Sequence, residues 1–166
     1  MEFEIRDCTP DMEKLWEEQF VRYNYEDLGL TRIPEEVLRE KIAKGILWHN
    51  LEQGISQIAM AFCDGKPAGF VMYQVDSEKS DWCMRPGWGM IREFCIVPEL
   101  RHKGYGRLLA QYAEKRLGEL SDRLYLTAHD EGAKSFWVAC GFADSGEDAS
   151  NGCRIFEKYL ERAPKS

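Results

Sequence analysis

The chain has 166 residues, 44% hydrophobic and 31% charged, which suits one folded α+β unit over 1–166 and excludes a disordered polymer. A formal net charge of −7 argues against a nucleic-acid partner, because phosphate affinity is largely electrostatic. No apolar run approaches the ~20 residues that span a bilayer, so no membrane partner is expected. Met1-Glu2-Phe3-Glu4 carries no apolar leader, and six cysteines without a Cys-x-x-Cys pair fit reduced thiols, so a cytoplasmic setting is expected.

Phe3 to Asp7 alternates as a first strand, and Thr9-Pro10-Asp11 is a helix entry. Met12, Leu15, Trp16, Phe20 and Tyr23 then share one helical stripe, which Leu28-Gly29 ends. Pro34-Glu35-Glu36 opens a second helix with Leu38, Ile42, Ile46 and Leu47 facing together. Ile55 to Phe62 and Ala68 to Val75 read as strands joined by the hairpin signal Asp64-Gly65. Asp76 to Gly89 reads as a loop, and Met90 to Val97 as a strand stopped by Pro98. Tyr105, Leu108, Leu109, Tyr112, Ala113, Leu117 and Leu120 form the stripe of a third helix. A strand over Arg123 to Thr127, a helix over Asp130 to Cys140 ended by Gly141, and a strand over Cys153 to Leu160 complete the chain. The expected architecture is α+β, with a mixed, mostly antiparallel central sheet flanked by about four helices.

Arg101-His102-Lys103-Gly104-Tyr105-Gly106 stands where the central strand meets the third helix. Two glycines there let successive backbone N–H groups turn around an anion, with the positive end of the helix dipole aimed at it. Arg101, Lys103 and Arg107 can add charge. Taken alone, such a pair of glycines is equally compatible with a tight turn. No Gly-Lys-Ser/Thr follows, which excludes a Walker loop, and the third glycine of a dinucleotide fingerprint is missing.

The segment from Phe94 to Leu109 resembles the acetyl-coenzyme A motif of the GNAT superfamily of N-acetyltransferases, whose core pattern is met at Arg101 to Gly106. Asp130 to Phe142 is similar to the helix that this superfamily sets beside the pantetheine arm. The resemblance implies an acetyl-CoA-dependent transferase with no metal. It implies that Phe94, Cys95 and Ile96 offer main-chain partners to the pantetheine and acetyl group. Arg101, His102, Lys103, Gly104, Tyr105, Gly106 and Arg107 would hold the diphosphate, with Asp130 and Phe136 beside the arm. Two positions depart from the pattern: Asp130 replaces the usual Asn, and Trp137 replaces a Tyr that often protonates the departing thiolate. An indole N–H cannot do that at a useful pH.

Amine acetylation requires the free base, and a lysine-like amine of pKa ~10.4 is neutral in about one molecule per ~2,500 at pH 7. Glu93 is the first choice for general base. Strand alternation sets it with Ile91, Cys95 and Val97, where a carboxylate has a reason to titrate high. An ion pair with Arg92 or Arg85, or an exposed strand end, is the structural alternative. His129 is the other titratable candidate, with capping the preferred role, whereas His102 reads as a spacer or phosphate contact and His49 as a helix end. Cys95 is either an acyl carrier or, preferably, a packed thiol, so direct transfer is expected. Tyr73 and Tyr125 are stand-in acids or packing residues.

Trp16, Tyr23, Tyr25, Trp48, Trp82 and Trp88, among Glu17, Glu18, Glu26, Asp27, Asp76, Glu78 and Asp81, suit either a cationic amine or a core with an acidic surface. Arg85 and Arg92 suit a carboxylate-bearing acceptor instead. The expected acceptor is a primary amine of a small molecule, or else of a peptide, with the protein a monomer or homodimer. The rivals are a catalytically silent acyl-CoA sensor and a transferase with a different acyl donor or acceptor.

Overall fold

The computed structural model describes residues 2–161. Its core is a seven-stranded mixed sheet in the order β1-β2-β3-β4-β5-β7-β6. The strands are β1 (Phe3–Asp7), β2 (Gln57–Cys63), β3 (Lys66–Val75), β4 (Gly89–Ile96), β5 (Arg123–Ala128), β6 (Ala143–Asp148) and β7 (Arg154–Tyr159). Every neighbouring pair is antiparallel except β4 and β5. That parallel pair touches only at Gly89 with Leu124 and Met90 with Tyr125. Beyond Met90 the two strands part, and one edge of β4 is left without a strand partner.

Four helical elements cover the sheet. Helix α1 (Glu13–Arg22) runs on into a wider π turn over Tyr23–Asp27. Helix α2 winds π-fashion over Val37–Trp48 and closes with an α turn over His49–Glu52. Both pack on one face through Trp16, Phe20, Leu38, Ala43 and Trp48 against Ile58, Met60, Phe70, Met72 and Cys95. Helices α3 (Tyr105–Gly118) and α4 (Glu131–Ala139) cover the opposite face through Leu109, Ala113, Leu117 and Trp137, against Val71, Ile91, Ile96 and Leu126.

Three expectations are corrected here. The polar hexapeptide Ala143 to Asp148 is an edge strand that buries almost nothing, so hydrophobic alternation could not announce it. In α2 the buried positions Leu38, Ala43, Leu47 and Trp48 are spaced by four to five residues, as the wider i→i+5 winding favours, and Ile46 is left exposed. In α3 Ala110 packs inward while Leu108 stands out, 47% exposed, and the helix ends before Leu120, which is 73% exposed.

The loop before β4 is anchored by a buried carboxylate. Asp76 accepts bonds from the Gln74 amide (2.9 Å), from the Met84 and Arg85 main-chain N–H groups (3.1 and 3.2 Å) and from the Tyr125 hydroxyl. Trp82 and Trp88 close over Met90 and Tyr125.

Candidate active site

Where β4 leaves β5, a cleft of about 690 Å³ opens. One wall is β4 (Ile91, Arg92, Phe94, Cys95 and Ile96), and the other is the end of β5 with α4 (Thr127, Asp130, Phe136 and Trp137). The phosphate-loop candidates Arg101, His102, Gly104, Gly106 and Arg107 form one end. Tyr23, Asp27 and Leu28, from the π turn of α1, form a third wall.

The loop has the geometry of an anion cradle. Gly104 has φ of +87°, a left-handed conformation, and a Cβ added there would enter open space. His102 is also left-handed, with φ of +61°. Among the described residues, the N–H groups of His102 through Arg107 have no acceptor in the protein, while Leu108 N–H already bonds Gly104 O at 3.3 Å. Six successive donors at a helix N-terminus form a site for a negatively charged group. A Cβ on Gly106 would lie 3.0 Å from the Phe136 ring, so this glycine lets the head of α3 close on α4.

Two of the three basic side chains are already committed elsewhere. Arg101 donates to Ile96 O (2.9 Å) and to Asp27 (2.8 Å). Arg107 donates to Ala139 O at 2.9 Å, capping the C-terminus of α4. Lys103 is exposed, and the Tyr105 ring stacks on Phe3 at 4.5 Å; neither lines the cleft. The main chain of this loop is therefore its principal anion-binding feature.

Asp130 is the N-cap of α4, its Oδ1 accepting from Ala133 N–H at 2.7 Å, and its other oxygen lies 3.3 Å from His129. Phe136 packs on Phe94, ring centroids 5.4 Å apart. Trp137 is 5% exposed and wedged among Phe94, Phe136 and Phe142 at 4.9, 4.8 and 5.5 Å.

A β-bulge alters the placement of Glu93. Met72 pairs with Glu93 and Tyr73 with Ile91, so Arg92 is the extra residue. Glu93 therefore shares a face with Cys95 and Met72, while Ile91 faces α3, contrary to regular alternation. Glu93 is half-buried behind the cleft wall, and burial pushes its carboxyl up to about 7 against the opposing pull of Arg92. The expected ion-pair alternatives are absent. Arg92 is held bidentately by Asp81 at 2.6 Å, and Arg85 by Glu147 and Glu157, both at 3.1 Å. Arg92 and a bond from Asn50 hold the Asp81 carboxyl below its usual range.

Cys95 lies 3.7 Å from the Arg22 guanidinium, yet burial pushes its thiol up to about 12. Tyr73 and Tyr125 lie outside the cleft, and Tyr125 is spent on Asp76. Of the aromatic and acidic residues weighed for acceptor binding, only Tyr23 and Asp27 reach the cleft, while Trp16 and Trp48 are core. The sequence signal for this third wall was thin: the stripe of α1 ends at Tyr23, and the π turn that follows has no apolar period.

The acetyltransferase (GNAT) family model matches residues 9–142. The chain belongs to this family. No curated protein sequence matches at a significant level. The fold is similar to that of the PaiA N-acetyltransferase of Thermoplasma acidophilum, solved in complex with coenzyme A, at TM-score 0.74 and 22% identity over 96% of this chain and 100% of that one. An acetyltransferase of Thermus thermophilus aligns at TM-score 0.72 and 18% identity, covering 96% and 98% of the two chains. An aminoglycoside acetyltransferase, AAC(6′)-Ib, solved in complex with coenzyme A, aligns at 0.70 and 15%, covering 95% of each. This GNAT chain is thus a transferase enzyme with the fold expected of it. Among the described residues no helix is long and apolar enough to cross a membrane.

Proposed function

We propose that this enzyme moves the acetyl group of acetyl-CoA to a primary amine of a small molecule, by direct attack, in the cytoplasm. The observation that carries the reading is the run of six unpartnered N–H groups, His102 to Arg107, at the end of a cleft opened by the parting of β4 and β5. A diphosphate matches those donors in charge and in number of acceptor oxygens. The pantetheine arm runs along the free edge of β4, which offers N–H and C=O groups, beside the packed Phe94–Phe136 pair.

The thioester brings an electrophilic carbonyl and a thiolate leaving group. An amide on that free edge is the donor for the developing oxyanion. Glu93, titrating near neutrality behind the cleft wall, takes through a bridging water the proton that keeps the amine from attacking. A thiol raised to about 12 is a poor nucleophile, which supports direct transfer over an acyl-Cys95 intermediate. Arg85 and Arg92 are both engaged by carboxylates, which favours an acceptor recognised by its cationic amine over one recognised by a carboxylate.

The test is to mix protein, acetyl-CoA and a panel of small primary amines while following thiol release. Turnover with at least one amine is the expected result. Tight CoA binding with no turnover across a broad panel would identify a silent binding module instead.

A further inference from the structure

The third wall of the cleft is fastened to the phosphate loop at one point. Among the described residues, the only hydrogen bond or ion pair joining Tyr23–Leu28 to Arg101–Arg107 runs from the Arg101 guanidinium to Asp27, at 2.8 Å. The Asp27 side chain is 11% exposed and is aimed by Arg22 of its own helix, whose two terminal nitrogens lie 3.4 Å from its oxygens. Arg22 also reaches Glu26 at 3.5 Å and Cys95 of β4 at 3.7 Å. On its other side the Arg101 side chain is anchored by Ile96 O at 2.9 Å, at the last residue of β4. The bridge therefore spans the opening from the end of β4 to the π turn of α1, immediately before the cradle that starts at His102. Apart from it, the main-chain bonds of this wall turn back on itself: Leu28 N–H meets Tyr23 O at 3.0 Å, and Leu30 N–H meets Asn24 O at 2.9 Å.

On the acyl-transfer reading given above, we infer that the Arg101–Asp27 bridge is a clasp over the acyl carrier, opening to admit it and again to release the spent coenzyme. A chain running from the cradle to the free edge of β4 passes Ile96, where the guanidinium is anchored. With the clasp shut, β4, α4 and the π turn enclose that chain on three sides; with it open, the π turn is released. The chemistry suits a clasp. The Arg101 side chain is 40% exposed, so water competes for the pair and it opens unaided. While closed it holds the wall in place, as lids that exclude water do. Neither group touches the reacting atoms: Asp27 and Arg101 are positioning residues. The engagement of Arg101 also explains why the diphosphate is left to the main-chain donors that follow it.

The test is stopped-flow binding and release of coenzyme A, followed by tryptophan fluorescence, since Trp137 lines the cleft. Two variants separate a clasp from simple electrostatics, because the two ideas predict opposite signs. Asp27→Asn removes a negative charge beside an anionic ligand, which alone would slow release; loss of the clasp should instead speed release about three- to fivefold. Arg101→Ala removes a positive charge, which alone would slow association; loss of the clasp should instead speed association about twofold or more. Release that is unchanged or slower in Asp27→Asn overturns the proposal. Association that is unchanged or slower in Arg101→Ala overturns it as well. Failure of the wild type to bind coenzyme A would instead refute the transferase reading.

Discussion

Replacing Glu93 with Gln should make the protein more stable and less active. The carboxyl titrates at 4.5 when unperturbed and at about 7 in the fold, raised by burial. Below pH 4.5 it is protonated in both folded and unfolded chains and has no effect on stability. As pH rises from 4.5 to 7 the unfolded chain ionises first, so the folded state loses ground. Above pH 7 both are ionised and the loss is complete. That gap of about 2.5 pH units, at about 1.36 kcal/mol each, gives a difference of about 3 kcal/mol. A neutral Gln escapes it. At pH 8 Glu93→Gln should therefore unfold about 6–12 °C above wild type, given 2–4 °C per kcal/mol for a domain of this size. Below pH 4.5 the two should coincide. Urea unfolding followed by fluorescence across this pH range measures the difference directly. The same variant should lose the rise of kcat/KM through pH 7 that a Glu93 base predicts for the wild type. A stability difference that does not change with pH would refute the burial argument, and an unchanged pH–rate profile would remove Glu93 from the mechanism.

Gly104→Val forces a branched side chain into a left-handed turn, a strain of about 1–2 kcal/mol that the loop relieves by rotating its N–H groups away. Calorimetry should show coenzyme A binding weakened by at least tenfold while the melting temperature changes by a few degrees. Arg101→Ala should weaken binding only about two- to fivefold, because that guanidinium is already held by Asp27 and Ile96 O; the same titration reads it. Asp76→Ala removes the acceptor of four hydrogen bonds, two of them buried, and should destabilise the fold by about 3 kcal/mol, seen in urea unfolding and in proteolysis of the 77–88 loop.

What the sequence revealed was governed by local rules. The Gly104-Tyr105-Gly106 turn and the 3.6-residue period of α3 are contiguous, so motif and helix were both legible from the residues around them. The hairpin at Asp64-Gly65 was equally plain, both residues taking positive φ. What escaped depended on departures from ideal periods. The bulge at Arg92 shifts every later β4 side chain to the other face, so simple alternation grouped Ile91 with Glu93 and Cys95. The π winding of α2 replaces a 3.6 period with a longer one, between four and five residues, and the π turn after α1 carries Tyr23 and Asp27 into the cleft. The basic residues flanking the glycines read as phosphate ligands, because nothing in their spacing reveals that Asp27 and the end of α4 engage two of them.

The central claim is that main-chain donors from His102 to Arg107 hold the diphosphate of the acyl carrier. Calorimetry of the wild type and of Gly104→Val with coenzyme A and with pantetheine, which lacks the whole 3′-phospho-ADP portion, tests it most directly, because only the diphosphate share of the difference is lost in the variant. With two or more hydrogen bonds to a charged group at about 1.5–3 kcal/mol each, coenzyme A should bind at least ~10²-fold more tightly. Equal affinity for the two, or no heat from coenzyme A, would contradict the account.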